Sequence, residues 1–266
     1  MSEKVYGLHA VRALLLRHAE RVSSVTLAEG RAEGRTEGRA DPRVAEIQAL
    51  ALKAGKPLKR APAASFRQWF GDAVHQGVGA DVAPLPPWRE EELVAGITSR
   101  LAERDAQSPL VLVLDGVQDP HNLGACLRTA DACGALAVVI PKDRAVQMNA
   151  TVRKVAAGAA ETTPLAVVTN LARTLRLLKE AGLWIVGADA GAPKLAHETD
   201  LSAPIALVMG AEGSGLRQLT RETCDLLVRL PQQGAVESLN VSVASGMLLY
   251  EALRQRLAPK GPLLRP

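Results

Sequence analysis

Three short segments of this 266-residue chain concentrate the side chains able to do chemistry. DGVQDPHNLGACLRTA, from Asp115, carries Asn122 and Arg128; MGAEGSGL, from Met209, sets Glu212 among glycines; PQQGAVESLNVSVASG, from Pro231, holds Ser238 and Asn240. Glycine-rich turns after strands serve pyrophosphate in dinucleotide-binding oxidoreductases, so that class is weighed first. The near match, Gly210 to Gly215, reads G-A-E-G-S-G: the G-x-G-x-x-G spacing is missing, no Walker lysine follows, and an acidic side chain stands where phosphate would approach. A carboxylate in such a loop suits hydrogen bonding to a hydroxyl or an amine, and glycine lets the backbone approach a flat, adenosine-like ligand. The pocket is therefore expected to take a ligand without phosphates.

The elements that must position these segments show in the aliphatic pattern. Beyond Gln107, short runs alternate with helical segments: LVLVLD, LAVVIP, LAVV, LWIVGAD, IALVMG and LLVRLP. This pattern predicts a mostly parallel sheet covered by helices, in which ligands bind outside the carboxyl ends of the strands. Three of the runs lead straight into the three loops, which predicts one composite site. With 47% hydrophobic and 23% charged residues the chain reads as globular, and with only 3% aromatics its core falls to Leu, Val, Ala and Ile. No run of eighteen apolar residues occurs and the start lacks the features of a secretory signal, so a cytoplasmic protein without a membrane partner is expected. Cys126, Cys133 and Cys224 match no zinc spacing and read as reduced thiols in packed elements, with no metal expected.

Charge divides the chain. Residues 1–80 hold 13 Lys and Arg against 8 Asp and Glu, residues 81–107 hold 3 against 6, and the rest hold 16 against 14. The middle piece opens with a Pro cluster and turns acidic and helical, which predicts a linker over 81–107 between a domain at 1–80 and one at 108–266. In the first domain, Leu8, Val11, Leu14 and Leu15 recur at helical spacing, Val22 to Leu27 reads as a strand, and a helix is expected from Pro42 to Ala54. The insert EGRAEGRTEGRA alternates charge around regular glycines and predicts a solvated loop, with RNA contact through Arg31, Arg35 and Arg39 as the lesser alternative because the adjacent Glu residues cancel most of their field. Lys53, Lys56, Lys59 and Arg60 form the densest basic cluster and the better candidate for phosphate contact.

Taken in order, DGVQDPHNLGACLRTADACGA, LVMGAEGSGLRQLT and LPQQGAVESLNVSVASGMLLYEALRQR resemble the three signature motifs of the SpoU family of S-adenosylmethionine-dependent RNA ribose 2′-O-methyltransferases. The run from Ile140 to Gly187, the opening VYGLHAVRALL and the later HQGVGA resemble the subfamily acting on guanosine in large-subunit rRNA. The resemblance spans nearly the whole chain apart from the EGR insert and the C-terminal tail. It implies an α/β architecture: a C-terminal parallel-sheet SPOUT domain with a deep trefoil knot, and a small N-terminal α/β domain similar to the ribosomal protein L30e fold that binds RNA. A homodimer with its active site completed across the interface, S-adenosyl-L-methionine as cofactor and large-subunit ribosomal RNA as partner, with no DNA, are implied too.

The resemblance also carries roles to single residues. Arg128 matches the family's central catalytic residue and a proposed proton acceptor. A guanidinium is essentially always protonated, so a bidentate clamp on a substrate phosphate is the preferred version; its ordinary alternative is pairing with Asp131 or Glu212. Asn122 matches a position that orients substrate or Arg128, and Glu212 one that holds Arg128 or accepts from substrate. Ser238 and Asn240 stand beside ribose and cofactor, and also suit capping of a helix starting near Val241. Gly210, Leu230 and Leu239 match backbone contacts to the cofactor. His121 falls beside Asn122 and suggests a general base, but the motif requires no histidine there and a surface position is expected; His9 reads as a structural or RNA-contact residue, not a metal ligand. Full ionisation of a ribose hydroxyl roughly five pKa units above ambient pH costs about 7 kcal/mol, which favours proton removal concerted with attack. A tRNA-modifying sister enzyme and a noncatalytic RNA-binding assembly factor are the alternatives.

Overall fold

The computed structural model describes residues 3–29, 41–71, 74–83, 85–103, 107–235 and 238–258. Arg31, Arg35 and Arg39 of the EGR insert lie outside the described residues. The chain forms two units: residues 1–86 with 157–162, and residues 87–156 with 163–266.

In the first unit, β1 (Glu3–Tyr6), α1 (Leu8–Arg17), β2 (Val22–Ala28), α2 (Pro42–Lys53), β3 (Leu58–Ala61), α3 (Ala63–Phe70) and β4 (Val78–Val82) follow in order. The sheet runs β1-β4-β2-β3, with β2 and β3 parallel and the other pairs antiparallel. Its main core joins Leu8, Val11, Leu14 and Leu15 of α1 and Val44, Ile47 and Ala51 of α2 with strand residues such as Val25, Leu27 and Val78. Asp41 caps α2 by accepting from the Arg43 amide at 3.0 Å, with Pro42 preset for the first turn. The scarce aromatics gather on α3, where fully buried Phe66 and its neighbour Phe70 pack with Ala28 and Ala61.

The second unit contains α4 (Glu90–Ala102), β5 (Leu110–Asp115), α5 (Pro120–Ala132), β6 (Ala137–Pro141), α6 (Ala150–Ala156), β7 (Leu165–Val168), α7 (Leu171–Glu180), β8 (Trp184–Ala188), β9 (Lys194–Leu195), β10 (Ile205–Gly210), α8 (Gln218–Thr223), β11 (Leu226–Arg229) and α9 (Val241–Leu257). All seven strands are parallel, in the order β7-β6-β5-β10-β8-β11-β9. Every residue of β5 is buried, as expected of a strand covered on both faces. One face packs Val111, Val113, Val139, Val168 and Val208 against Leu171, Leu175 and Leu178 of α7 and Leu93 and Ile97 of α4.

That packing gives residues 81–107 a different character from the expected linker. Residues 81–86 go with the first unit, and from Pro87 onward the segment belongs to the second. Trp88 exchanges backbone hydrogen bonds with Leu165 and Val167 at 2.9 and 3.0 Å, and α4 buries Leu93 and Ile97 completely. Proline and acid on the exposed face mask a short apolar stripe that the sheet needs.

Candidate active site

The carboxyl ends of the parallel strands lie along one edge, and all three chemistry-bearing loops leave from it. After β5, Asp119 caps α5 by accepting from the His121 amide at 3.0 Å, placing Asn122 in the first turn, where it is 6% exposed. After β10, Ala211 to Gly215 closes into a tight hairpin through paired backbone bonds of 2.9 and 3.1 Å between Ala211 and Gly215. Gly213 and Gly215 take positive φ, and a Cβ on Gly210 would overlap the Gly215 carbonyl group. The hairpin is thus possible only for this glycine pattern. After β11, Asn240 caps α9, accepting from the Ser242 amide at 2.9 Å and its hydroxyl at 2.6 Å.

These devices bring three of the named residues into one triangle. Asn240 Nδ2 donates to Asn122 Oδ1 at 3.0 Å and to Glu212 Oε1 at 3.2 Å, while Asn122 Nδ2 donates to Glu212 Oε2 over a longer 3.5 Å. Because Ser242 occupies Asn240 Oδ1, the amide has one orientation in which all these bonds form. Within the chain Glu212 is held by two amides and not by Arg128. Arg128 is exposed and makes no side-chain hydrogen bond or ion pair among the described residues. Six residues beyond Asn122, it lies about 240° around the helix and cannot share that residue's face. Asp131, its other expected partner, accepts from Thr163 at 3.2 Å.

Beside the triangle lies a cavity of about 490 Å³, lined by Gly210, Glu212, Leu230, Ser238 and Leu239 among others. All three expected cofactor contacts therefore share one wall system with Glu212 and Ser238. The lining also includes Asp189 and Arg229, at the ends of β8 and β11, which motif reading missed. The carboxyl-end rule applied to LWIVGAD was the available signal for Asp189. Asp189 accepts from the Gly191 amide at 2.8 Å and from Arg221 at 2.7 Å. Beneath the hairpin, wholly buried Asp115 pairs with Arg217 and accepts from its amide at 3.1 Å, tying the second loop to β5.

The remaining reactive groups stay outside this arrangement. His121 is exposed, with Nδ1 3.2 Å from Asp119 Oδ1. Cys126 is fully buried, its thiol 3.6 Å from the Ser245 hydroxyl, and burial pushes its pKa up to about 11. Burial likewise raises Cys133, and raises Cys224 to about 12. No His, Cys, Asp and Glu cluster able to hold a metal occurs among the described residues.

The SpoU rRNA methylase family model matches residues 109–250, more than half of the chain and the whole of this site. The chain belongs to the SpoU family. A second model, for RNA 2′-O ribose methyltransferase substrate binding, matches residues 4–88. A relative from Pseudomonas syringae pv. tomato, named 23S rRNA (guanosine-2′-O-)-methyltransferase RlmB, is 53% identical over 260 residues, 98% of each chain. The RlmB of Escherichia coli K12 is 48% identical over 256 residues, covering 96% of this chain and all of that one. A solved RNA 2′-O ribose methyltransferase of 27% identity superposes with a TM-score of 0.69 over 97% of this chain and 90% of its own. The SpoU methyltransferase AviRb from Streptomyces viridochromogenes, in complex with AdoMet, shares the fold at 21% identity, with a TM-score of 0.69 over 96% of this chain and 91% of that one.

Proposed function

We propose that the chain methylates the ribose 2′-hydroxyl of a guanosine in large-subunit rRNA with S-adenosylmethionine as donor, as its RlmB relatives are named for doing. The observation that carries the reading is the Asn122–Glu212–Asn240 triangle, with Glu212 also lining the cavity. At about 490 Å³ the cavity falls within the ordinary size range of small-molecule sites. Its donor set fits the cofactor: hairpin backbone and apolar Leu230 and Leu239 for a nucleoside, carboxylates near a positive centre, and Arg229 for a carboxylate. When bound, S-adenosylmethionine supplies a methyl group activated by its sulfonium.

The chain's own residues then orient and handle the proton. Asn122 and Asn240 both donate to Glu212, which fixes its carboxylate as an acceptor for a ribose hydroxyl losing its proton during attack. Ser238, on the cavity wall, supplies a further hydroxyl beside that position. Arg128, unpaired among the described residues, clamps a substrate phosphate and sets the ribose against the methyl group. Its placement off the Asn122 face supports a homodimer in which one protomer's Arg128 serves its partner's triangle. The exposed side of α9 supports the same assembly: Val243, Met247 and Tyr250 are 51%, 46% and 63% exposed. The proposal includes the trefoil knot implied by the motifs, the N-terminal unit as the RNA-recognising part, and action in the cytoplasm. No described helix is long and apolar enough to cross a membrane.

The test is tritium transfer from labelled S-adenosylmethionine to large-subunit rRNA and tRNA in parallel, with mapping of the modified nucleotide. Label in an rRNA guanosine is the expected result. Label in tRNA alone would move the substrate to that class, and none on either RNA despite bound cofactor would favour a noncatalytic RNA-binding role.

A further inference from the structure

A second cavity, of about 270 Å³, opens at the same carboxyl edge of the sheet, beyond β6 and β7. Arg144 and Arg217 line it, with Thr169 and Thr220, and Asp143 is the acidic residue of the lining. It is a neighbour of the first cavity. Leu216 lines the first and Arg217 the second, so one loop separates them. On the other side, Gly116 lies between the two loops: an added Cβ would stand at ordinary contact distance, 3.6 Å from the Arg144 carbonyl oxygen and 3.8 Å from the Cβ of Ala211, next to Glu212.

The two arginines are held by different means. Arg217 is anchored through its backbone amide and Nε to buried Asp115, while its side chain stays 45% exposed. Arg144 has φ 57°, in the left-handed region that a side chain with Cβ rarely adopts. Its loop is pinned by Gln147, whose amide nitrogen donates to the carbonyls of Pro141, Lys142 and Ala145 at 3.2 to 3.3 Å. Val146 donates to the Val117 carbonyl at 2.9 Å, which fastens the loop to the segment leading into Asn122. Arg144 itself is exposed and has no side-chain partner among the described residues. A strained backbone held by its surroundings, presenting an unpaired cation, marks a position kept for a ligand.

We propose that this cavity is a phosphodiester subsite, in which Arg144 and Arg217 hold an RNA backbone phosphate flanking the nucleotide presented to Asn122, Glu212 and Asn240. Asp115 already neutralises much of Arg217, so unpaired Arg144 carries most of the charge offered to the ligand and Arg217 adds its exposed guanidinium edge. A guanidinium fork matches two phosphate oxygens, which an ammonium cannot do. The inference rests on the methyl-transfer reading of the neighbouring site.

The experiment measures methylation of large-subunit rRNA against salt concentration, alongside cofactor affinity by calorimetry. Arg144→Ala is expected to raise KM for RNA about tenfold and to flatten the salt dependence of log kcat/KM by roughly 0.7 to 1 unit of slope, with cofactor Kd within twofold. Arg144→Asn, which tolerates the left-handed backbone, removes the charge without added strain and should show the same shift. Arg144→Lys should recover the slope but only part of the affinity. If both neutral variants keep wild-type KM and slope, or lose cofactor affinity as well, the subsite is overturned. A wild-type chain that binds cofactor but methylates no RNA would instead sink the reading beneath it.

Discussion

Arg128 and Asn240 make the sharpest tests at the scale of single residues, because the proposed function gives them separable duties. Arg128 makes no side-chain hydrogen bond or ion pair among the described residues, so Arg128→Ala should abolish turnover in the tritium assay while leaving calorimetric cofactor affinity within a few fold. A large loss of cofactor binding would contradict its assignment to the substrate. Asn240 both caps α9 and donates to Asn122 and Glu212. Asn240→Ala should therefore cost about 1 kcal/mol of stability through the lost cap as well as activity. Asn240→Asp should keep the cap and thus most of the stability in urea melts, yet lose activity, since a second carboxylate would face Glu212 without a donor between them. That Asn122, Glu212 and Asn240 lie on three loops of one sheet edge was legible in the three motifs. Their pairing was not: that two amides, and not Arg128, hold Glu212 depends on how three loops 28 to 118 residues apart converge, and spacing along a chain carries no such information.

Elements were read with uneven success for a physical reason. Strands buried on both faces, such as β5 and β10, are unbroken aliphatic runs and stand out from any background. By contrast, α4 exposes a charged face and hides its contribution in Leu93 and Ile97, one turn apart, so its acidic composition outweighed its packing. The two-residue β9 is too short to show a pattern at all. The hairpin after β10 was visible as glycine spacing, and its demands are testable. Gly210→Ala would force Cβ into the Gly215 backbone and should weaken cofactor binding at least tenfold by calorimetry with the secondary structure retained by circular dichroism. On α9, hydrogen bonds from Arg254 at 2.7 and 2.9 Å, opposed by burial and aided by Gln255, hold the Glu251 carboxyl down at about 2. A depressed folded-state pKa contributes stability that is present above the ordinary value of 4.5 and is lost as pH falls from there toward 2. Stability measured by denaturant should decline across that window, and Glu251→Gln should flatten the decline; an unchanged slope would mean that the carboxylate is not so coupled.

At the scale of the whole molecule, the exposed apolar face of α9 makes assembly the first property to examine. If the homodimer proposed above forms through this face, Tyr250→Asp, on a side chain 63% exposed, should shift it to monomers in sedimentation runs at micromolar concentration and, by removing the partner's Arg128 from the triangle, also cost most of the activity. A variant that remains dimeric would place the contact elsewhere. The parallel sheet has a further consequence, for the order in which the protein comes into being. The inner strand β5 pairs with β6 on one side and on the other with β10, which enters the chain ninety-five residues after it, Leu110 meeting Ile205. A ribosome making this protein at roughly 5 to 20 residues per second therefore holds an aliphatic strand with one edge unpaired for several seconds. The last corner of the triangle, Asn240, emerges later still. A partial product ending between β11 and Asn240 carries all seven strands of the sheet and lacks a corner of the triangle, and one ending between β5 and β10 leaves an aliphatic edge open, so that interval is where the cell's chaperones have most reason to attend to this chain.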